Sequence, residues 1–539
     1  MKTYVLSYDI GTTGVKTCLF SIEEKIELLA AASQGYGLTI LPNGGAEQNA
    51  DEWWDAMCVT TKKIFKKKLF KKTEVTPDMI SGISFCSQMQ GLVVIDKDGN
   101  VLRNPMSYMD QRAKEELKEG IAYGPQIAGA NVFKLLKYLR CTGAVSSSVK
   151  DPVWKYKWIE KNEPEIFSKI YKWLDVKEYL ICRCTGKAIM TQDSAYGALL
   201  YDTRKGKEGW SKDICKMLGV NMEHLAPIIK STDEVGGLTE KAAAELGLKA
   251  GTPVFGGGGD ASLIGVGAGA TRVGDTHIYS GTSGWVGTVV DKQMVDTTNM
   301  IAAIVGAQDG RYNYFAEMET AAKCFEWVKD HLALDEVDIY LDKHDVTESS
   351  ENFEAEYTSL YDYLTEVVNK VPAGSNGVIF TPWLHGNRCP FEDPNAAGMF
   401  FNIKIEDGKS EMMRAVLEGI CFHLRWMLEC EDKKTPTSNP IRFVGGGALS
   451  SATCQMLADI TGHKVETVAS PQNVGAVGAA AVVGVGLGVI DSLDSVREFI
   501  PAVHTYEPNP DNREVYDRNF EAFKLLYKNN KKAFAILNG

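Results

Sequence analysis

The chain contains one short strand-turn-strand design twice, about half its length apart. The first copy is a β-rich run at residues 4–10 that stops at Gly11-Thr12-Thr13-Gly14 and resumes as a second β-rich run. The second copy stops at Gly281-Thr282-Ser283-Gly284, a displacement of 270 residues in a chain of 539. Each copy has the pattern of a hairpin. The repetition predicts an α/β fold with two similar halves that face each other across a cleft, each placing one turn in it.

Strand and helix patterns alternate along the rest of the chain. Residues 80–85 and 91–96 have the composition of strands, and apolar residues recur at helical spacing through residues 412–428. The last 30 residues also have a helical pattern. The break between the halves is predicted near residues 248–253, just before a strand pattern and four glycines, and the two predicted domains are residues 1–258 and 259–539.

The two hairpin turns suit phosphate binding. Glycine lets a backbone approach an anion closely, and Gly11, Thr12 and Thr13 would offer backbone N–H groups and hydroxyls to a phosphate. Asp9, just before the first turn, would hold Mg²⁺ directly or through water, because hard cations prefer carboxylate oxygens. Plain Gly-Thr turns are the alternative for each copy taken alone. Two opposed turns, the second containing Gly281 and Thr282, could instead clamp a polyphosphate from both sides.

A third glycine-rich turn, Gly445-Gly446-Gly447, lies between a strand pattern and a helix pattern. Its glycines would let a base and ribose lie flat against the backbone. The alternative is an ordinary strand-to-helix turn. The spacing is not that of a dinucleotide fingerprint, and the chain has no Gly-Lys-Ser or Gly-Lys-Thr phosphate loop.

Asp260 follows the four glycines at the predicted junction of the halves. A hydroxyl is a weak nucleophile at neutral pH, so a positioned carboxylate that accepts its proton would assist phosphoryl transfer. Asp260 could also cap the helix that the next residues predict, and the two roles can coexist.

Composition excludes several other classes of protein. The net charge of −12 would repel nucleic acid, and no long apolar segment predicts a membrane span. The N-terminus lacks the features of a leader, so we expect a cytoplasmic protein. The twelve cysteines are scattered without metal-site spacing, which favours reduced core thiols.

The lysine-rich run at residues 62–72 predicts a solvated helix face, with a docking surface for an acidic partner as the alternative.

Taken together, these segments resemble the sugar kinases of the FGGY family, with the xylulose kinases closest. The matching segments, in chain order, are Asp9-Ile10-Gly11-Thr12-Thr13, Ser87-Gln88-Met89-Gln90-Gly91, Asp110-Gln111-Arg112, Gly257-Gly258-Gly259-Asp260, Ser280-Gly281-Thr282-Ser283-Gly284, His385-Gly386-Asn387-Arg388-Cys389-Pro390, Arg414-Ala415-Val416-Leu417-Glu418-Gly419, Gly445-Gly446-Gly447-Ala448 and Gly475-Ala476-Val477-Gly478-Ala479-Ala480. Nine ordered matches over nearly the whole chain are far more specific than any single glycine loop.

The resemblance implies two ribonuclease-H-like domains, of the type found in actin and hexokinase, that close over ATP, Mg²⁺ and a small sugar or polyol. It implies Asp260 as the catalytic base and Asp9 at the metal. The sugar side would include Met89, Gln90, Gly91, Asp110 and Asp260, and the ATP side Gly11, Thr12, Thr13, Lys16, Gly281, Thr282, Gly446 and Gly447. A homodimer is left open.

The chain also departs from its nearest patterns. Xylulose kinases typically carry His where this chain has Gln90 and Asn where it has Ala261, whereas glycerol kinases carry Arg-Glu in place of Met89-Gln90. Asn387 replaces the usual glutamate of a Gly-Glu-Arg-x-Pro signature, which we interpret as a change in a structural loop. Glu317 and Glu319 add acid to a stretch that is usually less acidic. They would be surface charges or new acceptors for substrate hydroxyls.

The departures leave several functions open. A ketopentose such as xylulose is the expected substrate, with ribulose, erythritol, glycerol or another ketose or polyol as alternatives. An ATP-driven binding protein of the actin or heat-shock type would share the phosphate turns but lack a sugar pocket, and a kinase-derived sensor would bind sugar without phosphorylating it. Gln90, Asp110 and Asp260 favour the enzyme.

Overall fold

The computed structural model describes residues 2–66, 75–127, 130–332 and 360–539. The lysine-rich run begins at the end of a helix, but its residues 67–72 lie outside the described part of the chain.

The first half is built on a twisted mixed sheet. Its strands are β1 (Thr3–Ile10), β2 (Gly14–Ile22), β3 (Ile26–Gly35), β4 (Ile80–Ser87), β5 (Glu234–Gly237), β6 (Pro253–Phe255) and β7 (Gly258–Gly259). The order across the sheet is β5-β6-β4-β1-β2-β3, with β7 also paired to β4. Strands β1, β2 and β3 are antiparallel, whereas β4 runs parallel to both β1 and β6. Parallel neighbours need a crossover, and a helix, Ala50–Ile64, supplies the one from β3 to β4.

Helices surround this sheet, and most of them lie in a large insertion between β4 and β5. They are α1 (Ala50–Ile64), α2 (Lys114–Leu117), α3 (Val132–Cys141), α4 (Pro152–Asn162), α5 (Pro164–Phe167), α6 (Val176–Thr185), α7 (Gln192–Gly197), α8 (Lys212–Leu218), α9 (Glu240–Leu246) and α10 (Asp260–Gly267). Short two-stranded ribbons pair Thr39–Ile40 with Ala46–Glu47, Val93–Ile95 with Lys172–Leu174, Gln126–Ile127 with Ala130–Asn131, Met190–Thr191 with Ile228–Ile229, and Tyr201–Asp202 with Gly209–Trp210.

The second half repeats the same sheet plan. Its strands are β8 (Thr276–Ser280), β9 (Gly284–Val290), β10 (Val295–Asp296), β11 (Ile301–Val305), β12 (Tyr312–Met318), β13 (Ile441–Val444), β14 (Val465–Val468) and β15 (Ala502–Tyr506), in the order β10-β11-β12-β9-β8-β13-β14-β15. The run β12-β9-β8-β13-β14 has the strand order and directions of β3-β2-β1-β4-β6. The predicted duplication, and with it the predicted α/β class, is therefore confirmed at the level of topology.

The helices of this half are α11 (Ala322–His331), α12 (Leu360–Asn369), α13 (Lys409–Asp432), α14 (Ser451–Thr461), α15 (Val474–Gly486), α16 (Val496–Phe499) and α17 (Arg513–Asn538), and a ribbon pairs Ile379–Thr381 with Met399–Phe401. The predicted helices at residues 412–428 and at the end of the chain are confirmed. The strand predicted at residues 91–96 is shorter, Val93–Ile95, because the turn before it is held by hydrogen bonds to another segment.

Two helices join the halves into one body. Helix α15 belongs to the second half in sequence but packs on the first sheet, where a Cβ on Gly82 would lie 2.8 Å from the Val483 side chain. Helices α10 and α15 cross so closely that a Cβ on Gly478 would overlap the carbonyl oxygen of Leu263. A shared apolar core fills this junction. The predicted domain boundary after residue 258 falls inside β7, at the end of the first sheet and just before α10.

Candidate active site

A cavity of about 360 Å³ lies in the cleft between the halves. Both halves line it: Thr12, Met89, Gln90, Asp151 and Asp193 come from the first, and Asp260, Trp285, Glu317, Glu319 and Arg388 from the second and from the junction. Four residues predicted from the sequence, Thr12, Met89, Gln90 and Asp260, therefore meet around one space.

Asp260 is the first residue of α10, and Gly259 is the N-cap. The capping role considered for Asp260 is thus shifted by one residue, and its carboxylate accepts a hydrogen bond from the Ala261 N–H at 2.8 Å. Burial raises the pKa of Asp260 to about 7, and the nearby carboxylates of Asp9 and Glu317 act in the same direction. A carboxylate that titrates near neutral pH is suited to take a proton from an alcohol.

A buried carboxylate on the first half anchors the start of α10. Asp193 accepts hydrogen bonds from the Gly259 N–H at 2.7 Å, from the Ser262 hydroxyl, and from the Thr191 hydroxyl at 2.6 Å. Burial opposes its ionisation, but these bonds and the Lys177 ammonium at 3.9 Å lower the pKa of Asp193 below its usual value. Asp193 therefore stays charged and fixes the helix that carries Asp260.

The loop at Gln90 is held in a strained conformation by charged groups from the insertion. Gln90 has a φ of 63°, a region that non-glycine residues seldom adopt. The Asp175 carboxylate accepts from the Gln90 and Gly91 N–H groups at 2.8 and 2.9 Å, and the buried Lys155 ammonium donates to the Gln90 carbonyl at 2.7 Å. Burial lowers the pKa of Lys155 to about 8. These contacts present the Met89 and Gln90 side chains to the cavity.

Two predicted sugar-site residues lie behind the cavity wall. Gly91 is buried and serves the Asp175 contact. Asp110 is fully buried, and its carboxylate accepts from the Arg112 guanidinium at 2.7 Å and from the Ala46 N–H at 2.8 Å. Neither is among the residues that line the cavity, so a direct role in sugar binding stays a prediction for both.

The first phosphate turn has its carbonyls turned toward protein donors. Gly11 and Gly14 carbonyls accept from the Tyr36 hydroxyl at 2.5 and 3.1 Å, the Thr13 carbonyl accepts from the Tyr36 N–H at 3.1 Å, and the Thr12 carbonyl from Gln48 at 2.7 Å. An anion at this turn would therefore not meet a bare carbonyl oxygen. The Gly11 N–H also donates within the turn, to the Gly14 carbonyl at 2.9 Å, so the N–H and hydroxyl groups that suit phosphate are those of Thr12 and Thr13.

The second turn has the same property. The Gly281 and Thr282 carbonyls accept from Ala322 and Ala321, at the start of α11, at 2.8 and 3.0 Å. The third turn lies beside it, since a Cβ on Gly447 would be 2.8 Å from the Ser280 hydroxyl oxygen. Gly446 is exposed, with open space where a Cβ would project. The predicted polyphosphate and adenosine turns are thus neighbours in the second half.

Asp9 and Lys16 are paired across strands β1 and β2 at the base of the first turn. Burial raises the pKa of Asp9, and the Lys16 ammonium opposes that shift. The Lys16 Nζ donates to the Gln472 carbonyl of the second half at 3.1 Å. Magnesium sites in phosphate-transferring proteins commonly use one or two carboxylates and fill the remaining positions with phosphate and water. Asp9, which is close enough to affect Asp260, fits that donor set, and Gly475 leaves space beside its carboxylate.

Arg388 joins two acidic residues at one wall of the cavity. Its guanidinium is paired with Glu317 and, at 3.2 Å, with Glu319. These glutamates were open to two interpretations, and the structure places both on the cavity rather than on a remote surface. Asn387, just before Arg388, is buried and donates to the Cys389 and Phe391 carbonyls at 3.0 and 2.9 Å, so it holds the loop.

Within the described segments, no helix is both long and apolar enough to cross a membrane. The same segments contain no cluster of three or more His, Cys, Asp or Glu residues arranged to hold a metal ion by protein groups alone.

Sequence reasoning missed Asp151, Lys155, Asp175, Lys177 and Asp193. All five are buried beneath or beside the cavity. A partial signal was available, because Asp175 lies between Leu174 and Val176 and is the N-cap of α6, where its side chain accepts from the N–H of Val176.

Comparison with known proteins finds similar sequences and folds over nearly the whole chain. Family models match along most of the chain: "FGGY family of carbohydrate kinases, N-terminal domain" over residues 4–267 and the corresponding C-terminal domain over residues 277–487. A xylulose kinase of Bacillus subtilis (strain 168) is 29% identical, with 98% of this chain and 97% of the relative covered. A gluconokinase of the same strain is 28% identical, with 96% and 94% covered. The crystal structure of a ligand-bound xylulose kinase from Lactobacillus acidophilus superposes with a TM-score of 0.82 at 25% identity, covering 99% of this chain and all of that one, 100%.

Proposed function

From the premise that the chain belongs to the FGGY family of carbohydrate kinases, we propose that it transfers the γ-phosphate of ATP to a hydroxyl of a ketopentose or a related polyol, with Asp260 as the base. The observation that carries the proposal is the position of Asp260, at the head of α10 and on the wall of a cavity lined by both halves. An ATP-driven binding protein could use such a carboxylate to position water, but it would not need a cavity for a second substrate beside it.

The residues divide into two sets. Met89 and Gln90 on one side of the cavity would contact the sugar, and the turns at Gly11, Gly281 and Gly446 would contact ATP. Phosphoryl transfer depends mainly on positioning and on stabilising charge, so two opposed turns are an apt arrangement. The acceptor oxygen bonds to the γ-phosphorus as the bond from phosphorus to the β,γ-bridging oxygen breaks. Asp260 takes the hydroxyl proton, and ADP leaves.

Asp9 would hold Mg²⁺, directly or through water. When bound there, Mg²⁺ supplies positive charge that offsets the charge of the phosphates. Lys16 is paired across β1 and β2 with Asp9 and would add positive charge on the same side. Thr12 and Thr13, at the tip of the turn, would complete the contacts to the phosphates.

Xylulose is the reference substrate, but we propose that D-xylulose is not strongly preferred over every alternative. Gln90 and Ala261 both line the cavity at positions where xylulose kinases typically carry His and Asn. A buried polar group left without a partner costs about 1–3 kcal/mol, which corresponds to roughly 5- to 150-fold in affinity. Losing the Asn partner should weaken recognition of one xylulose hydroxyl.

The test is a coupled assay of ADP release with D-xylulose, D-ribulose, pentitols, tetritols and glycerol. We expect ADP release to depend on an added acceptor and the Asp260→Asn variant to lose on the order of 10²-fold or more in kcat. Acceptor-independent ATP turnover, or a normal rate in Asp260→Asn, would contradict the proposal. A preference for D-xylulose above about a hundredfold over every alternative would show that the substitutions at Gln90 and Ala261 do not weaken recognition of xylulose.

A further inference from the structure

The charges that line the cleft cavity are unbalanced. Five acidic residues line it: Asp151, Asp193, Asp260, Glu317 and Glu319, of which Asp193 is fully buried with its carboxylate bound by protein donors. Among the described lining residues, the cations are Lys150 and Arg388. A ligand in this cavity therefore meets an excess of negative charge.

The layer of charge behind the wall does not compensate for this excess. Lys155 and Lys177 are buried there, but Asp175 and Glu178 are buried beside them. Lys177 is paired with Glu178, and Lys155 lies close enough to Asp175 for the two charges to interact. Lys177 also lies 3.9 Å from Asp193 of the lining, but the two lysines of this layer are matched in number by its two carboxylates, so the excess of negative charge at the cavity remains.

Arg388 is the group best suited to bind a carboxylate, because a guanidinium can hold both carboxylate oxygens at once. Both of its acidic neighbours already use it: Nη1 is paired with Glu317, and Nε lies 3.2 Å from Glu319. An incoming carboxylate would find Nη1 and Nε already engaged and would face the negative charge of both glutamates. A neutral polyol meets no such repulsion, and its adjacent hydroxyls can donate to the glutamate oxygens.

We infer that the acceptor is a neutral ketose or polyol, and that Glu317 and Glu319 exclude aldonates such as gluconate by keeping Arg388 occupied. The inference rests on the proposed kinase function and narrows its substrate class. Similarity does not decide this point, since the xylulose kinase and the gluconokinase of B. subtilis are 29% and 28% identical to this chain.

The first test compares kcat/KM for D-gluconate with that for the neutral acceptors, at saturating ATP. We expect the best neutral acceptor to be preferred by at least about 100-fold, since like charges brought together across a contact are strongly disfavoured. Raising the salt concentration should raise kcat/KM for gluconate and leave that for the neutral acceptor unchanged, because salt screens the repulsion. A preference for gluconate would overturn the inference while leaving the kinase function intact. An absence of ADP release with every acceptor would instead overturn the kinase function itself.

The second test assigns the effect to residues. In a Glu317→Gln/Glu319→Gln double variant, Arg388 is released, and the ratio of gluconate to neutral-acceptor kcat/KM should rise by about tenfold or more. Arg388→Met should shift the ratio the other way, because it leaves both glutamates unneutralised. The matched control is Glu498→Gln, which removes an exposed pair with Arg272 remote from the cavity and should leave the ratio unchanged.

Folding of each variant is checked by its melting temperature. If the double variant does not fold, Arg388→Met and the salt dependence of the wild-type enzyme decide the matter. Ratios that stay within about twofold of wild type in both cavity variants would overturn the role of the glutamates. Gluconate turnover in the wild-type enzyme that is lost in Lys150→Gln would show that Lys150 binds the carboxylate, and that result would also overturn the inference.

Discussion

The raised pKa of Asp260 predicts how the activity should depend on pH. Burial raises that pKa to about 7, so the carboxylate able to accept a proton is about half of the population near pH 7 and about a tenth near pH 6. With both substrates below their KM, the rate reports ionisations of the free enzyme. We therefore expect activity to rise about tenfold between about pH 6 and pH 8 and to level off above that.

A substitution at Glu317 should shift this acid limb, the rise in activity between about pH 6 and pH 8, along the pH axis. Glu317 is one of the carboxylates whose negative charge raises the pKa of Asp260. In Glu317→Gln that charge is gone, so Asp260 should ionise at lower pH and the acid limb should shift downward by a few tenths of a pH unit, as expected for one partly exposed charge. Ionisation of ATP would not respond to this substitution, so the shift separates the enzyme group from the substrate.

The assay is initial-rate ADP release in a constant-ionic-strength buffer series, with wild type, Glu317→Gln and Asp260→Asn. The residual activity of Asp260→Asn should show no limb near pH 7, because the titrating group has been removed. A limb that persists unchanged in Asp260→Asn would refute Asp260 as its source. A limb that moves upward in Glu317→Gln would refute the electrostatic reasoning.

Three further predictions follow from other parts of the molecule. ATP and a polyol together should draw the halves closer than either ligand alone, because closure excludes water from the γ-phosphate, and an unchanged radius of gyration in small-angle scattering would contradict this. Gly446→Ala should raise KM for ATP without lowering the melting temperature. Gly447→Ala should lower the melting temperature, because its Cβ would press on Ser280. Equal effects of the two variants on KM and on the melting temperature would count against the adenosine site. Glu431, fully buried beside Thr288, has a pKa raised by burial to about 8, so it stabilises the fold below its ordinary pKa and that contribution is lost as pH rises to about 8. Glu431→Gln should therefore raise the free energy of unfolding by roughly 3–5 kcal/mol near pH 8.5 relative to its effect near pH 5. Urea unfolding of both proteins at the two pH values measures this, and an equal effect at both would contradict the prediction.

The duplicated fold could be predicted because its signals are local. Each hairpin can be predicted from a glycine-containing turn between two β-rich runs, and the two copies differ little in the residues that form the turn. Helix α13 was equally accessible, since its apolar residues repeat at helical spacing over Lys409–Asp432. The exact start of the strand predicted at residues 91–96 was not, because the turn before Val93 is held by Asp175, which is more than 80 residues away in sequence.

The charged layer under the sugar side of the cavity could not be predicted for a related reason. Lysine and aspartate are rarely buried unless they are paired, so Lys155, Lys177 and Asp193 appear in the sequence as surface residues. Their partners come from separate turns of the insertion, and a single sequence gives no sign that they meet. Sugar binding by Asp110 stays a prediction, because the structure shows where this residue lies but not what it binds. The division of the chain into domains after residue 258 also stays a prediction.

The anchoring of α10 decides which half carries Asp260, the proposed base. Asp193, on the first half, binds the Gly259 N–H and the Ser262 hydroxyl at the head of the helix, beside Asp260. The Gln90 loop belongs to that same half and is fixed there by Asp175. The turn at Gly281, by contrast, is fastened to α11 of the second half. If the halves move as units, the sugar and Asp260 stay together while closure brings the second phosphate turn toward them. The proposed base and the acceptor hydroxyl would then be aligned within one half, so closure would have to set one distance, that between the acceptor oxygen and the γ-phosphorus.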